Sequence, residues 1–148
     1  MARFKFRLEV SLRLAEQTFK TAQRELAEEV RHWQVCKSAS EAQQKTLLQA
    51  QEEQRNAGRC HPENLGMCQI FAYEQHKRLR ECETKQIEQE LILENARNNL
   101  LKAHREVEKF RSLKEKRLKA FRLAEVQKEQ KILDETGQVL YWRQQRQV

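Results

Sequence analysis

Apolar residues recur along the N-terminal part of the chain at alternating intervals of four and three residues. The series starts at Leu8 and ends at Ala57, and eleven of its fifteen positions are apolar. This spacing predicts a long helix that supercoils with a partner helix, because the apolar row then always faces the partner. The row weakens at Ser40 and Gln43, which predicts either loose packing or a polar layer that sets the register. The positions are Leu8, Leu12, Ala15, Phe19, Ala22, Leu26, Glu29, Trp33, Cys36, Ser40, Gln43, Leu47, Ala50, Gln54 and Ala57.

The same alternation resumes in the second half of the chain. It runs from Leu79 to Phe110, and two successive steps of four then carry it to Lys114 and Leu118. Two such steps are a stutter, which unwinds a supercoil locally. The series then continues through Phe121, Glu125, Lys128, Ile132, Glu135, Val139 and Trp142. The chain therefore contains a second long helix-forming segment.

The stretch NAGRCHPENLGMC, residues 56–68, separates the two segments and contains the only proline and two of the three glycines. A helix interior loses about 3 kcal/mol at a proline and about 1 kcal/mol at a glycine, so a continuous helix is disfavoured here. The pattern predicts an all-α fold, a long antiparallel two-helix coiled-coil hairpin in a single domain. Helix 1 is predicted over about 3–57, the turn over about 58–67, and helix 2 over about 68–143. A parallel dimer of continuous helices is the alternative.

The second helix of such a hairpin is longer than the first. If the chain folds about position 62, Leu8 lies near Lys116, and residues 123–148 have no intramolecular partner. An amphipathic helix without a partner is marginal in water, so this C-terminal overhang either frays or binds another molecule. Its large apolar residues are Val126, Ile132, Leu133, Val139, Leu140, Tyr141 and Trp142.

The composition agrees with long helices rather than with a thick globular core. Charged residues make up 34% of the chain, and the mean hydropathy is −0.95. A coiled coil needs apolar residues at only two positions in seven. The net charge is +7, and it is least balanced in residues 105–122, which hold eight Lys or Arg and three Glu. That stretch is either a solvated helix face or a contact for an acidic protein surface, a membrane or nucleic acid.

Nothing in the sequence indicates a membrane span or a targeting segment. A span needs about 18 consecutive apolar residues, which the chain lacks. The start, MARFKFRLEVSLRLAE, has no uninterrupted apolar region and is read as mature protein. The four cysteines are then expected to be free thiols in a reducing cytoplasm.

The residues that could carry chemistry do not form a recognisable site. Cys60, His61 and Cys68 could be soft metal ligands, but the two cysteines are eight apart and no second close pair exists. Glu29 and His32 form one Glu-x-x-His spacing, where a di-iron bundle needs two. The glycines do not fit a phosphate-binding loop, and two helices alone form no concave pocket. We therefore expect no metal, no cofactor, no small-molecule substrate and no enzyme activity.

We also do not expect the chain to bind nucleic acid. Glu106, Glu108 and Glu115 interrupt the basic stretch, and Phe110 and Phe121 lie on the apolar row rather than at a stacking spacing. No basic region leads into a zipper.

Two stretches of the chain resemble the FliJ family of flagellar export proteins. They are FKFRLEVSLRLAEQ, residues 4–17, and LKEKRLKAFRLAEVQKEQKILDE, Leu113–Glu135. The most specific pieces are FRL at 6–8, EQK at 129–131 and DE at 134–135. The resemblance extends over the whole chain in architecture and length.

The resemblance implies a fold and a role. FliJ-like proteins are antiparallel coiled coils that look like the stalk (gamma) subunit of rotary ATPases. A cytoplasmic component of the flagellar type III export apparatus, peripherally associated with the inner membrane, is then expected. It would bind and stimulate the export ATPase hexamer, couple it to the cytoplasmic domain of the export gate, and escort export chaperones. The alternatives are an injectisome stalk homologue and a structural coiled coil that self-associates through its overhang. Ser11 and Leu12 stand where the family pattern has two leucines, which leaves the packing of that layer in question.

The resemblance also suggests contact residues. For the ATPase it points to Arg7, Leu8, Arg13, Lys131, Asp134 and Glu135. For the export gate it points to Phe71, Tyr73, His76 and Leu79. Leu8 is equally well explained as a residue of the apolar row, and Phe71 and Leu79 as residues that cap that row.

Overall fold

The structure, a computed structural model, describes residues 3–146. Helix α1 covers Glu9–Cys60, a 3₁₀ turn covers Pro62–Asn64, and helix α2 covers Leu65–Gln145. The two long helices pack against each other in antiparallel directions, and no strand occurs within residues 3–146. The predicted all-α helical hairpin is confirmed. The chain divides into two compact units, which in the described range are 3–17 with 104–146, and 18–103.

The proline sets the turn between the helices. The residue before a proline is pushed out of the helical region, and His61 has φ −140° and ψ 69°. Helix α1 therefore ends at Cys60, and Pro62 opens the 3₁₀ turn, where its missing N–H is not needed. The Asn64 N–H donates to the His61 carbonyl at 3.1 Å, which closes the turn. Only four residues separate the two helices.

The glycines do not stop the helices, which corrects the predicted turn over 58–67. Gly58 lies inside α1 and Gly66 inside α2, and within the described range no glycine has a positive φ. A β-carbon at Gly66 would meet no atom within 4 Å. The turn is therefore shorter than predicted, because glycine is only a weak helix breaker beside proline.

The start of α1 also differs from the predicted position near residue 3. Residues 3–6 form no regular structure, and α1 begins at Glu9. The Phe6 ring is buried, and the Lys114 ammonium and the Arg117 guanidinium lie 6.0 and 5.9 Å from its centroid. The segment before α1 is thus held against α2 by its aromatic residues rather than by helical hydrogen bonds.

In the unit formed by residues 18–103, the apolar row predicted for helix 1 is the packed seam. Every predicted position from Phe19 to Ala57 is buried or half-buried. On α2 the seam begins already at Leu65, because Leu65, Cys68, Ala72 and Gln75 continue the spacing backwards from Leu79. The buried apolar residues of this unit are Ala22, Leu47, Ala50, Ala57, Ala72, Leu93 and Ala103. Most are alanines, so the seam is narrow.

Polar layers interrupt this seam and join the two helices. The Gln43 side-chain amide donates to Gln75 Oε1 at 2.7 Å and to the Gln75 carbonyl at 3.1 Å. Gln75 is only 3% exposed, so its amide depends on this contact. Fourteen residues away on each helix, the Gln89 amide donates to the Glu29 carboxylate. The weakened seam at Gln43 is therefore a polar layer, and a shift in register would break both contacts.

In the unit formed by residues 3–17 and 104–146, packing is limited to the part of α2 that has a partner. Val107 is 1% exposed and Leu12 is 5% exposed. Ion pairs flank the seam, with Glu16 Oε1 at 3.2 Å from Arg111 Nη2 and Glu9 Oε2 at 2.8 Å from Lys114 Nζ. The rings of Phe4 and Phe121 close the packed part, with centroids 5.5 Å apart.

The Gln43 layer gives a test of register. We expect Gln43→Leu to lower the free energy of unfolding by about 1–3 kcal/mol, because it leaves the buried Gln75 amide without its partner. Adding Gln75→Leu should recover most of that loss, since both polar groups are then removed. Urea unfolding followed by circular dichroism measures both changes. Gln44→Leu, on the exposed side of the same turn, is the matched control; an equal loss in Gln43→Leu and the control would contradict the role of the layer.

Candidate partner-binding surfaces

The C-terminal part of α2 is an exposed helical arm, which we define as residues 123–146. Every residue of the arm except the half-buried Glu125 is exposed. Its large apolar side chains are between 50% and 70% exposed. They are Leu123, Val126, Ile132, Leu133, Val139, Leu140, Tyr141 and Trp142. So much apolar surface on one helix marks a site for another molecule.

Most of these side chains fall into two rows. Val126, Leu133 and Leu140 are spaced by seven residues, and Ile132 and Val139 form a second row that Trp142 extends. At about 100° per residue, the two rows bound an arc of about 200° of the helix circumference, and Glu129, Thr136 and Arg143 lie between them. A helix that lies on a flat surface needs a stripe of only about 100°. The arm is therefore shaped to be enclosed from more than one side.

The opposite face of the arm is mainly polar and rich in glutamine. Gln127, Gln130, Asp134, Gln138 and Gln145 share it with Leu123 and Tyr141. Lys131 lies at the border between this face and Trp142, and Glu135 lies just beyond Trp142, beside the apolar rows. All three charged residues predicted for the ATPase contact on this helix, Lys131, Asp134 and Glu135, are exposed.

The other predicted ATPase residues lie on the packed part of the same unit. Arg7 and Arg13 are exposed, and Leu8 is half-buried in the seam. Packing ends at Phe121, and Lys131 lies ten residues farther along α2, about 15 Å at 1.5 Å per residue. The structure therefore does not bring the two sets of predicted residues together into one site.

Sequence analysis missed an apolar patch beside Arg7 and Arg13. Val10 and Leu14 are 77% and 65% exposed, four residues apart on one face of α1. We call Val10 and Leu14, which lie about 40° apart on the helix, together with Arg7 in the turn before α1, the base patch. The four-residue spacing of Val10 and Leu14 is visible in the sequence, but the two residues lie outside the seam positions.

The residues predicted for the gate contact fall on different faces of α2. Phe71, Tyr73 and His76 are exposed, whereas Leu79 is half-buried in the seam. Phe71 and His76 are about 140° apart on the helix and flank the seam on opposite sides. Because Leu79 lies in the seam, it is better explained as a residue that packs against α1 than as a gate contact.

Two further apolar residues extend the exposed surface near the turn. Met67 and Ile70 are strongly exposed, one turn before Phe71 and Tyr73. We call Met67, Ile70, Phe71 and Tyr73 the tip cluster, which spans about 160° of the helix. Met67 was missed because the turn was predicted to extend through residue 67, and Ile70 because it lies outside the apolar row.

The basic stretch at 105–122 is partly neutralised by ion pairs. Lys109 contacts Glu106, and Arg111 contacts Glu16 and Glu108. The Lys119 ammonium lies 2.8 Å from Glu115 Oε1, and this hydrogen bond lowers the pKa of the Glu115 carboxyl. Most of the stretch is a solvated face, which suits electrostatic steering better than tight binding.

The described part of the chain presents no cluster for chemistry. Residues 3–146 contain no group of three or more His, Cys, Asp or Glu side chains that could hold a metal ion. The four cysteines are free. None of the helices in this range has both the length and the apolar character of a membrane span. The notable surfaces are the arm, the base patch and the tip cluster.

Comparison with known proteins connects these surfaces to a family. A family model described as flagellar FliJ protein matches residues 4–146 of the 148-residue chain. The chain belongs to the FliJ family. Searches of curated proteins and of solved structures returned no match. Membership in the FliJ family makes the chain a component of the flagellar export apparatus and confirms the resemblance seen in its sequence.

The exposure of the arm predicts that it adds little to the stability of the free hairpin. We expect a chain that ends at residue 125 to keep a Tm within about 3 °C of the full chain, because the described residues that are removed, 126–146, are all exposed. Its binding of the dye ANS should fall, since most of the exposed apolar arm is gone. Thermal unfolding followed by circular dichroism measures the Tm. A loss of more than about 10 °C would show that the arm packs on the hairpin.

Proposed function

We propose that this FliJ-family chain is a stalk whose arm enters the centre of the export ATPase ring and stimulates the enzyme. The exposed apolar arm is the observation that carries the proposal. Its apolar side chains span about 200° of the helix, which suits a channel that surrounds a helix. The central opening of a hexameric ring is such a channel.

The energy available from the arm is sufficient for specific binding. Each fully buried large apolar side chain contributes about 1.5–3 kcal/mol. Burial of only three of them would therefore contribute several kcal/mol before the cost of association is subtracted. Lys131, Asp134 and Glu135, around the polar side, would fix the rotational setting of the arm through contacts with polar loops of the ring.

The base patch provides a second contact with the same ring. Val10 and Leu14 expose apolar surface, and Arg7 and Arg13 carry charge that can steer docking onto an acidic rim. Leu8 packs in the seam and would hold this face of the unit in place. In this proposal the ATPase performs the chemistry, and the chain acts without catalysis, cofactor, metal or small-molecule substrate.

We propose the tip cluster for the cytoplasmic domain of the export gate. Phe71 and Tyr73 are exposed aromatic residues, the residue type that most often anchors an interface. His76 would add a polar contact at its border, and Leu79 would hold this part of α2 against α1. Binding at the ring and at the gate would couple the ATPase to export, with the protein cytoplasmic and held peripherally at the inner membrane. Escort of export chaperones belongs to the same proposal.

A second candidate function is self-association through the arm, which the same exposed rows support. Two arms could pair along their apolar faces as a coiled coil. Sedimentation at low micromolar concentration distinguishes the two: a monomer supports the stalk, and a stable dimer that is lost with the arm supports self-association.

The apolar rows give a direct test of the ring contact. We expect Ile132→Ser with Val139→Ser to weaken binding to the purified export ATPase hexamer at least about tenfold and to reduce stimulation of ATP hydrolysis, because two buried anchors are lost. Fluorescence anisotropy and a phosphate-release assay measure the two effects. Gln127→Ser with Gln138→Ser, on the polar face, is the matched control. Equal binding by both double variants would refute the enclosed arm.

The tip cluster can be tested separately. We expect Phe71→Ala with Tyr73→Ala to weaken binding of the gate's cytoplasmic domain at least about tenfold, because interface aromatics carry much of the binding energy. Stimulation of the ATPase should remain unchanged. Isothermal titration calorimetry with the purified domain gives the affinity, and Glu74→Ala on the same turn is the control. An unchanged affinity in the aromatic variant would place the gate contact elsewhere.

A further inference from the structure

Three of the four cysteines, Cys36, Cys68 and Cys82, lie on the seam in the unit formed by residues 18–103. Cys36 is on α1 and Cys82 is on α2, and both are half-buried free thiols. Cys68 is half-buried near the start of α2, and Cys60 is exposed at the end of α1. The proposed stalk function uses none of these thiols.

The polar layers of the seam fix which residues face each other. Gln43 contacts Gln75, and Glu29 contacts Gln89. Cys36 lies seven residues from both Glu29 and Gln43, midway between them along α1. Because seam residues repeat every seven positions, the residue that faces Cys36 lies midway between the two partners on α2.

That facing residue is Cys82. It lies seven residues after Gln75 and seven before Gln89. The same register places Cys68 opposite Ala50, so Cys68 has no facing thiol. Cys60 lies on the exposed side of the last turn of α1. Among the four cysteines, only Cys36 and Cys82 face each other across the seam.

The spacing of packed helices suits a covalent link at this layer. Helix axes lie about 8–10 Å apart and Cα atoms lie about 2.3 Å from each axis, so Cα atoms on the direct line between the axes are about 3.4–5.4 Å apart, and those turned away from that line are farther apart. A disulfide needs Cα atoms about 4.4–6.8 Å apart, a range that overlaps these separations.

We propose that Cys36 and Cys82 are a thiol pair that a low-molecular-weight disulfide, such as oxidised glutathione, converts into an intramolecular disulfide. One thiolate attacks a sulfur of the oxidant, whose S–S bond breaks and releases one small thiolate that takes up a proton. The second cysteine thiolate then attacks the mixed disulfide and releases the second small thiol. The two protein thiols lose two electrons, the oxidant gains them, and the protons end on the two small thiols.

The disulfide would join α1 and α2 covalently across the seam. It closes the chain from residue 36 to residue 82 into a ring that contains the turn and the tip cluster. Closing a ring restricts the unfolded chain, so the oxidised hairpin resists separation of its helices. Reduction by excess thiol would reverse the change, and this behaviour depends only on the register of the hairpin and not on the proposed stalk function.

The experiment uses the full-length reduced chain incubated with oxidised glutathione under native conditions. Peptide mapping by mass spectrometry should find the Cys36 and Cys82 peptides joined, with the loss of two hydrogen atoms. The Tm of the oxidised chain should rise by about 5–15 °C and return after reduction. Cys60→Ser with Cys68→Ser is the matched control and should link at the wild-type rate, whereas Cys36→Ser and Cys82→Ser should not link.

Two further variants test the register and show whether a failure to link results from misfolding. In a chain with Cys36→Ser and Cys82→Ser, adding Ala50→Cys should create a link to Cys68 two heptads away, because the same register places these positions opposite each other and the Gln43–Gln75 layer is kept. In a chain with Cys82→Ser, adding Glu83→Cys moves the thiol by one residue and should slow linking at least about tenfold. A Cys60–Cys68 link, mixed disulfides alone or only intermolecular links in the wild-type chain would overturn the proposal.

Discussion

The narrow seam between two helices of unequal length controls the properties of this protein. Helix α1 has 52 residues and α2 has 81, and apolar surface is buried only where both are present. Among residues 3–146, packing therefore ends where the Phe4 ring meets Phe121, and the remainder of α2 continues as an exposed helix. Because α2 is longer than α1, the core of the free protein is limited in length. The same difference in length leaves the apolar arm exposed, and the protein is proposed to act through this arm.

Polar residues within the seam make its register specific. An alanine-rich seam has few large side chains to interlock, so it could slide with little change in packing. The Gln43–Gln75 and Glu29–Gln89 contacts oppose sliding, because a shifted register would leave buried amides without partners. A fixed register in turn holds the tip cluster in one arrangement on α2 and keeps Cys36 opposite Cys82. Stability and interaction surfaces therefore depend on the same few polar contacts.

The seam was predictable from the sequence, whereas the interaction surfaces were only partly so. The spacing from Leu8 to Ala57 gave the buried face of α1, because a period of 3.5 residues has one structural solution. The turn was predicted too long because Gly58 and Gly66 were taken as helix ends together with Pro62, although α-helices tolerate glycine. That error hid Met67. The exposure of Val10 and Leu14 depends on which side of α1 faces α2, which only the paired structure determines.

The arm is an exposed helix in the free chain, and we propose that it becomes enclosed in the ATPase ring. Hydrogen–deuterium exchange of the full chain, with and without the purified export ATPase hexamer, measures this most directly. Residues 126–146 should exchange fast in the free chain, because their backbone hydrogen bonds lack the protection of tertiary packing. With the ring, strong protection should appear across this segment while the Gln43–Gln75 layer remains as protected as before. Protection elsewhere on the chain, with unchanged exchange in residues 126–146, would contradict the account.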